Sequence, residues 1–307
     1  MKHFLYRVTG IAVCLIVIPL LITFLIQGDD GNPVKKEDPG KTSGQTILDE
    51  SILPGILAGE LSVDTEYEAM KAQAVIARTN CLRALEQGEA FPESIAKSDM
   101  IRMWGQEKFS EYYTRLESCV EATKGMAMVW NGHYIQAEFH AASAGYTRNA
   151  NEFYQDERAP YLKSKDSRTD LLSKDFLQVK FYKPDEWLKL EEPFLQETTK
   201  EAAQTWTAEQ LAAAMAVTER DSAGYVTKVQ IDGQEFSGEE IRLASGWNSS
   251  DFSIKEIDGE IRVVTKGCGH GLGLSLYGAN ELARQKKDYQ EILQYYFDGI
   301  EIVNSNP

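Results

Sequence analysis

The stretch PGILAGELSVDTEYEAMKAQAVIART, residues 54–79, contains two helical patterns joined by a short polar segment. In the first, apolar residues recur three and four positions apart, and Pro54 suits the first turn of a helix. In the second, predicted over residues 66–87, alanines recur throughout and Gly88 is a natural stop. Because small side chains allow close approach, the second helix is predicted to pack tightly against its neighbours.

Glu60 departs from the apolar pattern of the first helix. Ile56 lies four positions before it and Leu57 three, so the three residues share one helix face. Partial burial disfavours the charged form of a carboxyl group and raises its pKa. A glutamate with a raised pKa suits general acid catalysis near neutral pH. The plainer alternative is that Glu60 lies at the border of this face, where it reaches water or pairs with an arginine.

Beyond these helices, strand patterns alternate with helical ones. Helical spacing returns in residues 183–219 and 279–297, and Ser237 with Glu240 forms a capping box. Hairpins rather than βαβ units predict an α+β fold and weigh against a Rossmann fold or a TIM barrel. The predicted hairpins, each with an Asn-Gly or Asp-Gly turn, are residues 126–130 with 134–139 around Asn131-Gly132, residues 225–231 before Asp232-Gly233, and residues 252–264 around Asp258-Gly259.

The N-terminal region predicts a membrane anchor. Residues 8–26, VTGIAVCLIVIPLLITFLI, carry no charge and approach the roughly 20 residues that a spanning helix needs. Lys2 and Arg7 precede this run, which predicts that residues 1–7 are cytoplasmic. A cleaved signal peptide is the alternative, although the run is long for one and no small-x-small cleavage site follows. Residues 27–45 have the composition of a flexible linker. We therefore expect a single-pass protein of the cell membrane, with residues 46–307 as one extracytoplasmic domain.

Charge and cysteine content narrow the function classes. A net charge of -15 without a basic stripe argues against nucleic acid as a partner.

Outside the apolar run the chain has Cys81, Cys119 and Cys268, and three thiols cannot all pair within one chain. Buried, unpaired cysteines are therefore predicted.

Two further segments have compositions that suit a binding site. Residues 267–278, GCGHGLGLSLYG, contain five glycines, which let a backbone turn sharply and approach a ligand. They match neither a P-loop nor a dinucleotide fingerprint, and a structural turn before a helix is the alternative. Residues 139–147, FHAASAGYT, contain His140 and Ser143, but no G-x-S-x-G elbow surrounds the serine, which weighs against acyl transfer.

The three motifs together resemble the stage II sporulation protein D family over nearly the whole predicted domain. PGILAGELSVDTEYEAMKAQAVIART, FHAASAGYT and GHGLGLSLYGA occur in this order, with supporting matches at residues 121–125, 247–252 and 289–296. The resemblance implies a domain of hairpins and helices around a substrate cleft. It also implies a peptidoglycan lytic transglycosylase that cleaves the MurNAc-GlcNAc bond of glycan strands, stripped of peptides, during sporulation engulfment. No cofactor is implied.

The resemblance assigns roles residue by residue. Glu60 matches the catalytic glutamate, which would act as general acid and base. Arg78 or Lys71 would tune its pKa or hold polar groups of the glycan, and a solvated helix face is the alternative for both. The residues that match substrate-binding positions are Lys71, Gln73, Arg78, His140, Ser143, Gly145, Thr147, His270, Gly271, Gly273, Ser275 and Tyr277.

The resemblance also implies partners, and it has departures. Expected partners are glycan strands, a sporulation amidase that strips stem peptides, and a multi-pass membrane protein that recruits both. Ala144 stands where the family has glycine, and Leu276 where it has glutamine, so one hydrogen bond to the glycan is missing or comes from elsewhere. Two further functions remain open: a non-catalytic glycan-binding module and a scaffold that acts through protein contacts.

A tightly bound zinc ion is not predicted. Some members of the family are expected to hold zinc through a cysteine and a histidine near the Ser-Gly-Gly block, where this chain has Ala141 and Ala142. Only His140, Cys268 and His270 remain as ligands that the fold could bring together, and structural zinc usually needs four.

Overall fold

The computed structural model describes residues 48–305, which form an α+β fold with small sheets. The predicted membrane span, residues 8–26, and the whole of the predicted linker, residues 27–45, lie outside the described residues. Within residues 48–305, every helix is too short or too polar to cross a membrane. The helices are α1 (Leu53–Glu60), α2 (Tyr67–Gln87), α3 (Lys97–Trp104), α4 (Gln106–Ala122), α5 (Ala150–Tyr154), α6 (Pro184–Glu191), α7 (Glu197–Ala203), α8 (Ala208–Ala214), α9 (Gly238–Ser245), α10 (Leu276–Arg284) and α11 (Tyr289–Tyr296).

The strands form four small sheets, and short 3-10 turns lie at Glu50–Ile52, Arg168–Leu172 and Glu192–Phe194. The sheet orders are β11-β1-β2, β10-β3, β4-β9-β8 and β5-β6-β7. The strands are β1 (Met126–Trp130), β2 (His133–Tyr134), β3 (Phe139–His140), β4 (Leu177–Tyr182), β5 (Ala216–Arg220), β6 (Val226–Ile231), β7 (Gln234–Phe236), β8 (Asp251–Ile257), β9 (Glu260–Lys266), β10 (Leu274–Ser275) and β11 (Glu301–Asn304).

Helix α2 is buried on two faces. Met70, Ala74 and Ala77 contact an apolar cluster with α1 and α4. Ala72 and Ile76 belong to a second cluster, which includes residues of β1, β10 and α11. The predicted tight packing of this alanine-rich helix is therefore confirmed. A third cluster fills the lobe formed by residues 182–263, around the stacked rings of Trp187 and Trp247.

The three predicted hairpin turns are confirmed in position and conformation. Both central residues of each turn have positive φ, for example 51° at Asn131 and 80° at Gly132. This is the type I′ geometry that matches the twist of paired strands, and it explains why Asn-Gly and Asp-Gly occupy these turns. The second and third hairpins, β6-β7 and β8-β9, pair in antiparallel register as predicted.

The return strand of the first hairpin is shorter than predicted. Only His133 and Tyr134 pair with β1, instead of residues 134–139. The backbone of Ala137 instead bonds the side chain of Asn80 on α2, with distances of 2.9 and 3.0 Å. Phe139 and His140 then pair in parallel with β10. Because a side-chain amide satisfies Ala137, the chain can leave one sheet and enter another.

Two further expectations need correction. Residues 97–122, which carry no predicted element, form α3 and α4. The single helix predicted over residues 279–297 is two helices, because Lys286 has a left-handed φ of 70° and Asp288 caps a new helix start. Cys81, Cys119 and Cys268 are all free, as predicted, but only Cys81 and Cys119 are buried, whereas Cys268 is half-buried.

Arg78 holds four segments of the N-terminal half together. Its guanidinium is fully buried and forms two 2.9 Å bonds to the carboxylate of Glu50. It also donates to the carbonyl oxygens of Val120 at the end of α4 and Met126 in β1, each at 3.1 Å. A planar donor with five N–H groups can satisfy several acceptors at once, which a lysine cannot do.

We predict that Arg78→Met lowers the free energy of unfolding by about 3 kcal/mol, because it leaves a carboxylate and buried carbonyl groups without their partner. Urea denaturation measures this change. The control is Arg83→Met, which removes a more exposed arginine paired with Glu89 and is expected to cost less than about 1 kcal/mol. Equal losses in the two variants would contradict a central role for Arg78.

Candidate active site

A cleft of about 480 Å³ lies at the end of α1, in the size range of small-ligand pockets. Glu60 and the residues directly after it form one part of its wall, and the start of α10 forms another. A third part comes from the segment before β4. The lining residues are Glu60, Leu61, Ser62, Thr65, Ala141, Ser173, Lys174, Asp175, Leu276, Tyr277 and Asn280.

The fold places Glu60 at the point where α1 emerges from the core. Residues 53–58 are buried, and Glu60 is the half-buried last residue of the helix. Burial raises the pKa of its carboxyl group to about 7, although a hydrogen bond from Gln73 acts in the opposite direction. The negative end of the α1 dipole also disfavours a carboxylate at this position. Of the two interpretations of Glu60, the structure supports the partly desolvated carboxyl group and shows no arginine paired with it within residues 48–305.

Gln73 is the side chain that orients Glu60. It is fully buried on α2, and its Nε2 donates to Glu60 Oε2 at 2.9 Å. One oxygen of the carboxyl group is therefore held by α2, while Glu60 itself lines the cleft. Gln73 therefore fixes the orientation of the Glu60 carboxyl group and does not itself line the cleft.

The Gly-rich block is a close-packed support for the cleft wall. Gly271 and Gly273 have φ of 82° and 69°, in the left-handed region. A Cβ at Gly273 would overlap the carbonyl of Glu138, and one at Gly271 would lie 2.6 Å from the ring of Tyr225. Both positions therefore require glycine, but neither lines the cleft. Leu276 and Tyr277, near the end of the block, do line the cleft, and Leu276 adds an apolar surface where the resemblance implies glutamine.

His140 and His270 lie behind the wall, with ring centroids 5.9 Å apart. Burial and the charge of His270 lower the pKa of His140 to about 3, so its ring is neutral at pH 7. Its Nδ1 lies 3.0 Å from the carbonyl oxygen of Leu272, to which it donates. Burial also lowers the pKa of His270, whose Nε2 is 3.5 Å from Glu138. Neither ring lines the cleft around Glu60.

Asp170 links the motifs and was not identified from the sequence. Its buried carboxylate accepts a 2.7 Å bond from the backbone N–H of Ser143. Burial raises its pKa, and hydrogen bonds from the hydroxyls of Ser143, Ser275 and Ser167 oppose that effect. Ser143 and Ser275 are themselves fully buried. These two serines thus tie the Asp170 segment to the cleft motifs and do not face the cleft.

The remaining predicted binding residues have structural contacts. Thr147 Oγ1 accepts from the backbone N–H of Lys165 at 2.8 Å, and the carbonyl of Gly145 accepts from Ser167 at 2.9 Å. Lys71 pairs with Glu68 at 2.6 Å. Its ammonium group also lies 5.4 and 5.1 Å from two tyrosine ring centroids.

Arg78 needs a correction as a glycan-binding candidate. Its guanidinium is fully buried and satisfied by Glu50 and backbone carbonyls, so it cannot contact a ligand in the cleft. Ala144 does not have a positive φ, so an alanine at this position brings no backbone strain. Its backbone N–H donates to Tyr225 Oη at 2.8 Å.

The segment Ser173–Asp175 lines the cleft although no sequence motif marks it. It is a short polar loop, and only the path of the chain brings it near Glu60. Asp175 gives the cleft a second carboxylate, whereas the three motifs contain only one acid that reaches it. A glycosidase with two carboxylates thus becomes a chemical alternative.

Within residues 48–305, no group of three or more His, Cys, Asp and Glu side chains is arranged to hold a metal ion. The predicted absence of tightly bound zinc stays a prediction.

The structure thus belongs to a class of α+β domains in which a cleft presents a half-buried glutamate, here Glu60, with a pKa near neutrality. Residues 40–130 match the family described as "SpoIID: Stage II sporulation protein". Two proteins named stage II sporulation protein D are similar. That of Bacillus amyloliquefaciens is 28% identical, over 98% of this chain and 96% of its own length. That of Bacillus subtilis is 30% identical, over 85% and 77%.

The chain belongs to the stage II sporulation protein D family. A protein of Bacillus subtilis named amidase enhancer is also similar, at 26% identity over 80% of this chain and 39% of that protein. The family resemblance noted from the three motifs is therefore confirmed.

Proposed function

We propose that this protein is a peptidoglycan lytic transglycosylase that cleaves the MurNAc-GlcNAc bond during sporulation engulfment. The observation that carries the proposal is Glu60, a carboxyl group with a pKa of about 7 that faces a cleft of about 480 Å³. A group that titrates near the working pH can both donate and accept a proton efficiently.

The mechanism uses Glu60 twice. The protonated carboxyl group donates its proton to the glycosidic oxygen, and the bond to the muramyl C1 breaks. The resulting carboxylate then accepts the proton of the muramyl C6 hydroxyl, whose oxygen attacks C1 and closes a 1,6-anhydro ring. Glu60 returns to its protonated state, and no water is consumed. Gln73 holds the carboxyl group in place through both steps, and Tyr277 offers an aromatic surface for the sugar.

Partners follow from the same proposal. The amidase enhancer relative is named for an effect on an amidase. A sporulation amidase that removes stem peptides would supply glycan strands to the cleft, and a multi-pass membrane protein would bring both enzymes to one place. The net charge of -15 continues to argue against nucleic acid.

Asp175 favours a second candidate function. In a glycoside hydrolase, one carboxyl group acts as acid and the other as nucleophile or base. Asp175 is exposed and lines the same cleft as Glu60, so hydrolysis to reducing ends is the competing reaction. A non-catalytic glycan-binding module or a protein scaffold would also be compatible with this fold, but neither function needs a carboxyl group with a pKa near 7.

We predict that Glu60→Gln lowers the cleavage rate of peptide-stripped glycan strands by about 10²–10⁴-fold, because an amide cannot donate and accept the proton. The wild-type products should end in 1,6-anhydromuramic acid, which mass spectrometry distinguishes from reducing ends by the mass of one water molecule. Asp175→Asn should still give anhydro ends. The matched control is Glu66→Gln, which changes a glutamate outside the cleft and should preserve the rate.

Product type and glycan binding together separate the four functions: transglycosylase, hydrolase, glycan-binding module and scaffold. Reducing ends that disappear in Asp175→Asn would replace the transglycosylase with a hydrolase. Binding of glycan without any product would indicate a binding module, and absence of both would indicate a scaffold.

We also propose that residues 8–26 anchor the protein in the cell membrane with the domain outside, on the sequence pattern alone. Protease added to intact protoplasts should then remove the domain and leave a short membrane fragment. Complete protection of the domain, with degradation after lysis, would contradict this topology.

A further inference from the structure

Lys174 is a cation in the cleft without a partner in the described part of the chain. It is exposed, it lines the same cleft as Glu60, and its ammonium group makes no hydrogen bond or ion pair with any of residues 48–305. The one lysine of the three sequence motifs, Lys71, differs, since it is held by Glu68 and two tyrosine rings. An unpaired ammonium group remains available for an anion that enters the cleft.

The backbone around Lys174 is fixed on both sides. On the N-terminal side, the Asp170 carboxylate binds the Ser143 backbone, and Ser173 N–H donates to the Asp170 carbonyl at 2.9 Å. On the C-terminal side, the carbonyl of Phe176 accepts a 2.7 Å bond from Gly267, and β4 pairs with β9. The position of Lys174 relative to the cleft is therefore set by the fold, although its side chain is free.

The overall charge makes this cation significant. The chain carries 47 acidic and 32 basic residues, so its field repels an anionic polymer unless a local positive charge compensates. A muramic acid carries a lactyl carboxyl group, which is negative when free and neutral when a stem peptide is joined to it through an amide bond. An ammonium group in the cleft distinguishes these two forms by charge.

We propose that Lys174 binds the free lactyl carboxylate of a muramyl residue beside the bond that Glu60 cleaves, an inference that rests on the proposed glycan substrate. Asp175, the next residue, lines the same cleft and places a negative charge near the same ligand. The pair therefore sets the charge selectivity of the cleft: Lys174 attracts the carboxylate and Asp175 opposes it.

The test measures binding by the full-length chain with Glu60→Gln, so that cleavage is too slow to deplete the ligand during the measurement. Three ligands of equal length are compared: stripped strands with free lactyl carboxylates, the same strands with those carboxylates converted to amides, and strands that keep their stem peptides. Lys174→Met should weaken binding of the first ligand about fivefold, in the range of a partly exposed ion pair. It should leave the other two unchanged. Asp175→Asn should strengthen binding of the first ligand alone.

The matched control is Lys255→Met, which removes an exposed lysine of β8 outside the cleft and should alter none of the three affinities. An equal loss with the amidated strands would show that Lys174 does not recognise the carboxylate and would overturn the inference. A loss with the peptide-bearing strands would assign the recognised carboxylate to the stem peptide, which also overturns it.

A cleavage assay with the native Glu60 in place separates this inference from the proposed function. If the wild-type protein gives anhydro products and Lys174→Met leaves all affinities unchanged, the protein is a transglycosylase but Lys174 does not bind the lactyl carboxylate. If binding depends on the charge of the lactyl group but no product forms, Lys174 binds the carboxylate and the protein is not a transglycosylase.

Discussion

The burial of α2 on two faces is the constraint on which the rest of the structure depends. Alanines on this helix allow α1 and α4 to approach one side and β1, α10 and α11 to approach the other. Only a few polar side chains are accommodated inside such packing, and three of them donate hydrogen bonds to specific partners. Gln73 binds Glu60, Arg78 binds Glu50, and Asn80 binds the backbone of Ala137. The helix thus sets the position of the cleft glutamate and the path of the strand behind it.

The chemistry of the site follows from where α1 ends. A carboxyl group one turn earlier would be fully buried, and one placed further along the chain would be solvated with an ordinary pKa. At the last residue of α1, Glu60 is half-buried at the negative end of a helix dipole, and both effects favour its neutral form. The glycines and buried serines of the motifs do not line the cleft. These motifs position Tyr277 and the Ser173–Asp175 segment at the cleft. The link is Asp170, whose carboxylate accepts a hydrogen bond from the backbone N–H of Ser143.

Local patterns in the sequence predicted the elements that local physics controls. The turn residues determined three type I′ turns, and the apolar spacing around Glu60 predicted its partial burial. The sequence did not predict the end of the first hairpin at Tyr134, because that break depends on Asn80, 57 residues away from Ala137. It also placed Arg78 near the glycan, since a motif match does not show which way a helical side chain points. Lys174 and Asp175 carry no motif, and only the tertiary fold brings them to the cleft.

The fold raises the proton affinity of Glu60, and an NMR titration of its carboxyl ¹³C resonance measures this effect. The resonance is assigned by its absence in the Glu60→Gln protein. We expect a midpoint at about pH 7, well above the usual value for glutamate of about 4.3. A midpoint close to the usual value would show that Glu60 is ionised at neutral pH, and it would contradict the role of Glu60 as the proton donor.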